Sequence, residues 1–138
     1  MVGAPLKRQD GRQTGGSLVF AGWYALVVGA LMIAQWVFFI IAGQVPELQT
    51  EPLRIAFHLG AEGVTAVLLI LAGVGLLRSR RWSRGLGLVA FGSLVYTSIV
   101  SPGYFAQLDQ WPLVAMFAVV LMLAIVSIML LMRPPDGA

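Results

Sequence analysis

The sequence predicts an all-α, polytopic membrane protein, a bundle of four transmembrane helices with both termini on the cytoplasmic side (N-in/C-in). Hydrophobic residues make up 59% of the 138-residue chain and charged residues only 11%. A typical soluble domain carries about 25% charged residues. The apolar residues form four long segments, each close to the length of about 20 residues that a helix needs to cross a bilayer. The basic residues lie almost entirely on one side of these segments, which predicts the orientation.

Local signals mark where the four helices begin and end. Thr50, followed by an acid and a proline, is typical of a helix start with a capping hydroxyl. Pro102 should end or kink the third helix, and the sequence leaves open whether that helix stops at Ser101 or continues. Pro112 opens the fourth helix, and Trp36 belongs to an aromatic belt near the outer boundary. We therefore predict a flexible cytoplasmic tail at 1–16, helices at about 17–43, 53–77, 85–105 and 111–132, and a cytoplasmic tail at 133–138.

The distribution of Lys and Arg predicts the topology. Of the nine basic residues, only Arg54 lies on the side that carries Glu47, Glu51 and Asp109. The others lie in the N-terminal tail, between the second and third segments, and after the fourth: Lys7, Arg8, Arg12, Arg78, Arg80, Arg81, Arg84 and Arg133. Because connections rich in Lys and Arg stay in the cytoplasm, we expect both termini there. From the small size and simple organisation of the chain, we expect a multi-pass protein of the plasma membrane. The basic residues are then topology signals, and no nucleic acid partner is expected.

A stripe of ionisable residues interrupts the second segment. At about 100° per residue, Arg54, His58, Glu62 and Thr65 lie on one face of a helix. Glu62 approaches the middle of the bilayer, where a charged side chain costs about 2.5–3.5 kcal/mol on insertion scales. We therefore expect the stripe to face the interior of the bundle or a wet cavity.

Polar residues on the neighbouring helices lie at a similar depth. Gln35 is in the outer half of the first segment, and Tyr96, Thr97 and Ser101 are in the outer half of the third. These depths predict a polar pocket that opens outward and is lined mainly by the first three helices. Its predicted ligand- or proton-binding residues are His58, Glu62, Arg54, Thr65, Tyr96 and Gln35.

Several roles are compatible with this pocket. A closed hydrogen-bond network would simply fix helix packing. A proton relay needs a carboxylate beside a side chain of a type that ordinarily titrates near neutrality, and Glu62 beside a histidine, His58, provides this pair. A small amphiphile such as a quinone could instead bond to His58 or Tyr96. With one histidine and no cysteine in the chain, neither zinc nor haem is expected. No nucleophile, base and acid stand in an arrangement that predicts hydrolysis, so an enzyme is not expected.

The stretch FHLGAEGVTAVLLILAGVGLL, residues 57–77, precedes a basic turn and a third helix. This arrangement resembles the DoxX-like group of small four-helix membrane proteins. The matching positions are Glu62, Gly63, Leu68, Leu69 and Gly73. The resemblance implies an accessory role beside oxidoreductases or quinone-linked enzymes, with Glu62 as the functional residue.

Taken together, the residues predict a small accessory membrane subunit whose pocket, centred on His58 and Glu62, binds a proton, an ion or a small amphiphile. One alternative is a structural or assembly partner of a larger membrane complex that binds no ligand. Another is a minimal oligomeric proton-coupled transporter. The predicted partners are the lipid bilayer and either a second copy of the chain or a larger complex. Ala21, Ala25 and Gly29 form a ridge of small residues that favours close helix packing within the subunit, with a homo-oligomer contact as the alternative.

Overall fold

The computed structural model describes the backbone of residues 10–134 and the side chains of residues 15–134. Its elements are α1 Asp10–Ile41, α2 Glu47–Thr50, α3 Pro52–Leu77, α4 Ser83–Val100, α5 Pro102–Gln107 and α6 Trp111–Met132. Every regular element in this part of the chain is a helix, which confirms the all-α class there. Four stretches of the described residues are long and apolar enough to cross a membrane: Gly15–Ile41, Pro52–Leu77, Ser83–Gln107 and Trp111–Met132.

The first long helix begins earlier than the sequence predicts. Residues 10–16, expected to belong to a flexible tail, form the first turns of α1. Glycines weaken a helix by up to about 1 kcal/mol each, but unlike proline they keep their N–H groups and do not interrupt the backbone hydrogen bonds. Residues 1–9 of the predicted tail lie outside the described residues.

The predicted cap of the second long helix is wrong. The residue that precedes α3 is Glu51, and no side chain caps the helix there. The Thr50 hydroxyl instead donates a hydrogen bond of 3.4 Å to the carbonyl oxygen of Pro46, within the short helix α2. Pro52 does occupy the first turn of α3, as its missing N–H allows.

Pro102 interrupts the third span without ending its helical course. The N–H of Ser101 bonds to the carbonyl of Thr97 at 2.9 Å, and Ser101 keeps helical angles of φ −64° and ψ −36°. Helix α5 begins directly at Pro102, since proline has no N–H to donate but suits a first helical turn. The chain therefore continues in helical conformation as far as Gln107.

Close contact between α1 and α3 depends on small residues. Ala21 and Ala25 are fully buried. A Cβ added at Gly29 would lie 2.8 Å from the carbonyl oxygen of Ala66, and one added at Gly73 would lie 2.7 Å from that of Gly22. At these distances a methyl group does not fit, so the two backbones touch. The small-residue ridge of α1 thus packs within the subunit, as predicted.

The remaining helices close the bundle around Phe91 and Leu94 of α4, which are buried. Helix α3 packs against α4, and α4 packs against α6. Tyr24 of α1 stacks on Phe91 with ring centroids 5.8 Å apart. Its hydroxyl donates a hydrogen bond of 2.6 Å to the carbonyl of Val120, which links α1 to α6.

Candidate functional site

The carboxylate of Glu62 lies where α1, α3 and α4 meet. The indole N–H of Trp36 on α1 donates to Glu62 Oε2 at 2.5 Å. The hydroxyls of Thr97 and Ser101 donate to Oε1 at 3.0 and 3.1 Å. One side chain of α3 therefore accepts three hydrogen bonds from the two helical spans on either side of it.

Helix periodicity explains why the donors converge. Thr97 and Ser101 are four residues apart, so their side chains lie one above the other on the same face of the third span. The first and second spans run in opposite directions, which brings the last turns of α1 near the first half of α3. Only 11% of the Glu62 side chain is exposed. Because an ionised carboxylate away from water is costly unless it is hydrogen-bonded, these donors offset much of its desolvation.

His58 lies one helical turn before Glu62, nearer the start of α3. Its Nε2 atom is 3.6 Å from Glu62 Oε1. That distance is too long for a hydrogen bond but short enough for an ion pair when the imidazole is protonated. The ring meets that of Trp36 edge to face, with centroids 5.8 Å apart. Since 40% of the His58 side chain is exposed, the imidazole stands between the surroundings and the buried carboxylate.

The other four predicted site residues lie outside this network. Arg54 pairs with Glu51 at 2.6 Å and points outward, with 79% of its side chain exposed. The Thr65 hydroxyl donates to the carbonyl of Ala61 within its own helix, at 2.9 Å. Tyr96 is 70% exposed, and Gln35 is half-buried. Within residues 15–134, no hydrogen bond or ion pair joins any of these four to Glu62.

Two of these four residues, Tyr96 and Gln35, are each one position before a residue that does reach Glu62. One position along a helix is a rotation of about 100°. Tyr96 precedes Thr97 and Gln35 precedes Trp36, so each pair shares a depth but not a direction. The sequence correctly indicated Thr97 and Ser101 as neighbours by their depth. It assigned Trp36 only to the aromatic belt. The available signal was the indole N–H, a donor that seeks an acceptor when the ring is buried in apolar surroundings.

The arrangement can bind a proton more readily than a metal ion. A carboxylate offers about four lone-pair sites, and three are already occupied by Trp36, Thr97 and Ser101. Among the described residues, no three His, Asp or Glu side chains gather in a way that could hold a metal ion. The three donors are neutral, and within residues 15–134 His58 is the basic side chain within ion-pair distance of Glu62.

A model of a family described as a domain of unknown function, DUF8058, matches residues 18–136. No curated protein and no solved structure matches the chain. The matched residues include Glu62, its three donors and His58, along with nearly all of the four apolar spans. The chain therefore belongs to the DUF8058 family.

Proposed function

We propose that the chain is an integral protein of the plasma membrane, with both termini in the cytoplasm, and that Glu62 and His58 form a proton-binding site inside it. Four apolar helical spans support membrane insertion. The basic connection between α3 and α4 supports the orientation, since Arg84 in the first turn of α4 donates a 2.6 Å hydrogen bond to the carbonyl of Arg133 after α6. The cations of both segments thus lie at one end of the bundle, which is then the cytoplasmic end.

One observation carries the proposed proton site: the mostly buried Glu62 has neutral donors and a half-exposed histidine as neighbours. Within residues 15–134, His58 is the basic group that lies within ion-pair distance of Glu62. An ionisable group inside a membrane is costly and is commonly functional. A proton that binds to the partly exposed imidazole places a positive charge 3.6 Å from the carboxylate, so that one proton compensates the charge of the pair.

The single histidine of the chain makes this proposal directly testable. We expect the imidazole signals of full-length protein in detergent, followed by NMR from about pH 5 to 8, to trace different titration curves in the wild type and in Glu62→Gln. The physical reason is that a carboxylate 3.6 Å away interacts with the charged imidazolium but scarcely with the neutral ring.

Thr65→Ala is the matched control for this titration. It removes a polar group from the same helix, but its hydroxyl bonds only to its own backbone at Ala61. The curve of this variant should overlay that of the wild type. Overlapping curves for wild type and Glu62→Gln would show that the two groups do not share a proton, and the proposal would fail.

A second candidate function is structural, because the same three hydrogen bonds hold α1 and the third span against α3. In this case the chain is a packing or assembly partner that binds no ligand. Glu62→Gln would then lower the stability of the bundle and leave the imidazole titration unchanged. Two other predictions concern the same residues. One is that they bind an ion or a quinone-like amphiphile, and the other is the accessory role that the DoxX-like resemblance implies.

A further inference from the structure

Five arginines gather at one end of the bundle. Arg78, Arg80, Arg81 and Arg84 lie between the end of α3 and the first turn of α4, and Arg133 follows α6. The Arg84 guanidinium donates to the carbonyl of Arg133 at 2.6 Å. This contact places the end of α6 beside the start of α4, so residues far apart in sequence form one basic surface. We call these five residues the arginine cluster.

Among the residues whose side chains the structure describes, no acidic side chain pairs with the arginine cluster. Within residues 15–134, the ion pairs are Arg54 with Glu51 and His58 with Glu62, and both lie in the opposite half of α3. The acidic residues of that part of the chain are Glu47, Glu51, Glu62 and Asp109, none of which is in the connection between α3 and α4. Within residues 15–134, the cluster therefore has no acidic side chain as a partner.

The arginines that can meet a partner are the exposed ones. Arg78, Arg80, Arg81 and Arg133 are exposed, whereas Arg84 is partly buried and engaged with the end of α6. Trp82 lies among them, 54% exposed. A Cβ added at Gly75 would lie 2.8 Å from its ring, so the indole rests on the last turn of α3. A tryptophan beside arginines at the ends of apolar spans is typical of the headgroup level of a membrane.

We propose that the arginine cluster is a docking surface for anionic phospholipid headgroups of the cytoplasmic leaflet. A guanidinium matches the geometry of phosphate oxygens and can bond two of them at once. The inner leaflet of a membrane carries a negative surface potential that attracts basic groups next to a span. Charge complementarity and the position at the ends of the spans favour a lipid over a soluble anion. The proposal rests on the proposed membrane insertion and orientation, but not on the role of Glu62.

The docking surface can be tested by comparing how strongly lipids bind to two variants that have the same net charge. Full-length protein in a neutral detergent is titrated with phosphatidylglycerol or phosphatidylcholine, and bound lipids are counted by native mass spectrometry. We expect phosphatidylglycerol to bind in preference to phosphatidylcholine. Arg81→Gln should weaken that binding about fivefold, the effect of about 1 kcal/mol for one arginine near an anionic surface. Arg54→Gln removes the same charge at the opposite end of α3 and should leave binding unchanged.

Several outcomes would overturn the proposal. Equal retention of the two lipids would show that the cluster does not distinguish lipids by the charge of their headgroups. Equal losses of phosphatidylglycerol binding in Arg81→Gln and Arg54→Gln would show that binding depends on the net charge of the protein and not on the arginine cluster. Inorganic phosphate could also displace phosphatidylglycerol when it is added at the concentration at which that lipid saturates the protein. This result would mean that the surface binds a soluble anion. Arg80→Gln provides a second variant of the cluster if Arg81→Gln does not fold, as judged by circular dichroism.

Discussion

At Glu62, the observed hydrogen bonds and the proposed proton site favour different protonation states. As an acceptor, the side chain holds α1 and the third span against α3 through Trp36, Thr97 and Ser101. In the proposed function, the same carboxylate forms a proton-binding site with His58. An ionised carboxylate accepts all three bonds, whereas a protonated one has an O–H that must itself find an acceptor. Proton binding at this site is therefore expected to loosen or rearrange contacts between helices.

The indole hydrogen bond gives a prediction at the scale of one residue. Trp36→Phe keeps an aromatic ring but removes the donor to Glu62 Oε2. We expect it to destabilise the bundle by about 1.5 kcal/mol, in the upper part of the range for interhelical hydrogen bonds in membranes, because the acceptor can be charged. Reversible unfolding in SDS, followed by circular dichroism, measures the change.

Trp111→Phe is the control, since Trp111 is exposed at the first residue of α6. Its substitution should alter the free energy of unfolding far less. Equal losses in the two variants would mean that the indole of Trp36 acts by its volume and not through its hydrogen bond to the carboxylate.

At the scale of the element, α3 packs against α1 along one face, at two levels. Near the start of α3, His58 and Glu62 lie at the junction with α1 and the third span. Further along the same face, at about 100° per residue, Ala66 and Gly73 come so close to α1 that the backbones touch. Because close approach without a Cβ maximises dispersion contacts, small residues are a common means of holding helices together in lipid. Substitutions on α3 should therefore depend strongly on which face they alter.

A pair of glycine substitutions tests this dependence. A Cβ at Gly73 would lie 2.7 Å from both the Gly22 carbonyl and the Leu26 side chain, whereas a Cβ at Gly63 would meet nothing within 4 Å. We expect Gly73→Ala to destabilise the protein by about 1–2 kcal/mol, the cost of overpacking less the gain in helix propensity. Gly63→Ala should stabilise it by up to about 1 kcal/mol.

Unfolding in SDS again provides the measurement for both glycine variants. Tolerance of alanine at residue 73 would contradict the close contact between α1 and α3. A loss of stability in Gly63→Ala would instead indicate that this open position is covered by another copy of the chain or by a partner.

At the scale of the whole molecule, the proposed orientation rests on the distribution of charge. It can be tested by labelling single introduced cysteines, because the chain has no cysteine of its own. We expect Gln49→Cys to react in intact cells with a maleimide that cannot cross membranes. Ser79→Cys should react only after the cells are permeabilised, since it lies in the basic connection between α3 and α4. Both native residues are exposed. The reverse pattern would show that the arginine cluster faces outward and would contradict the proposed topology.

The sequence by itself determined the class of the fold, the approximate extent of its long helices and the presence of ionisable residues within the second span. These features follow from composition, segment length and position along the chain, which need no tertiary contact. It also indicated Thr97 and Ser101 correctly, because depth along a helix can be counted in residues. The early start of α1 and the cap of α3 were missed, since helix ends depend on local hydrogen bonds that propensity does not specify.

Only the tertiary structure decided which polar side chains meet. Neighbouring residues on a helix differ in direction by about 100°, and the rotation of each helix about its axis is set by packing against the others. That rotation brings Trp36 rather than Gln35 to Glu62, and Thr97 rather than Tyr96. It also directs Arg54 outward to Glu51 and brings Arg133 to Arg84. Depth is a property of one helix, whereas direction is a property of the bundle.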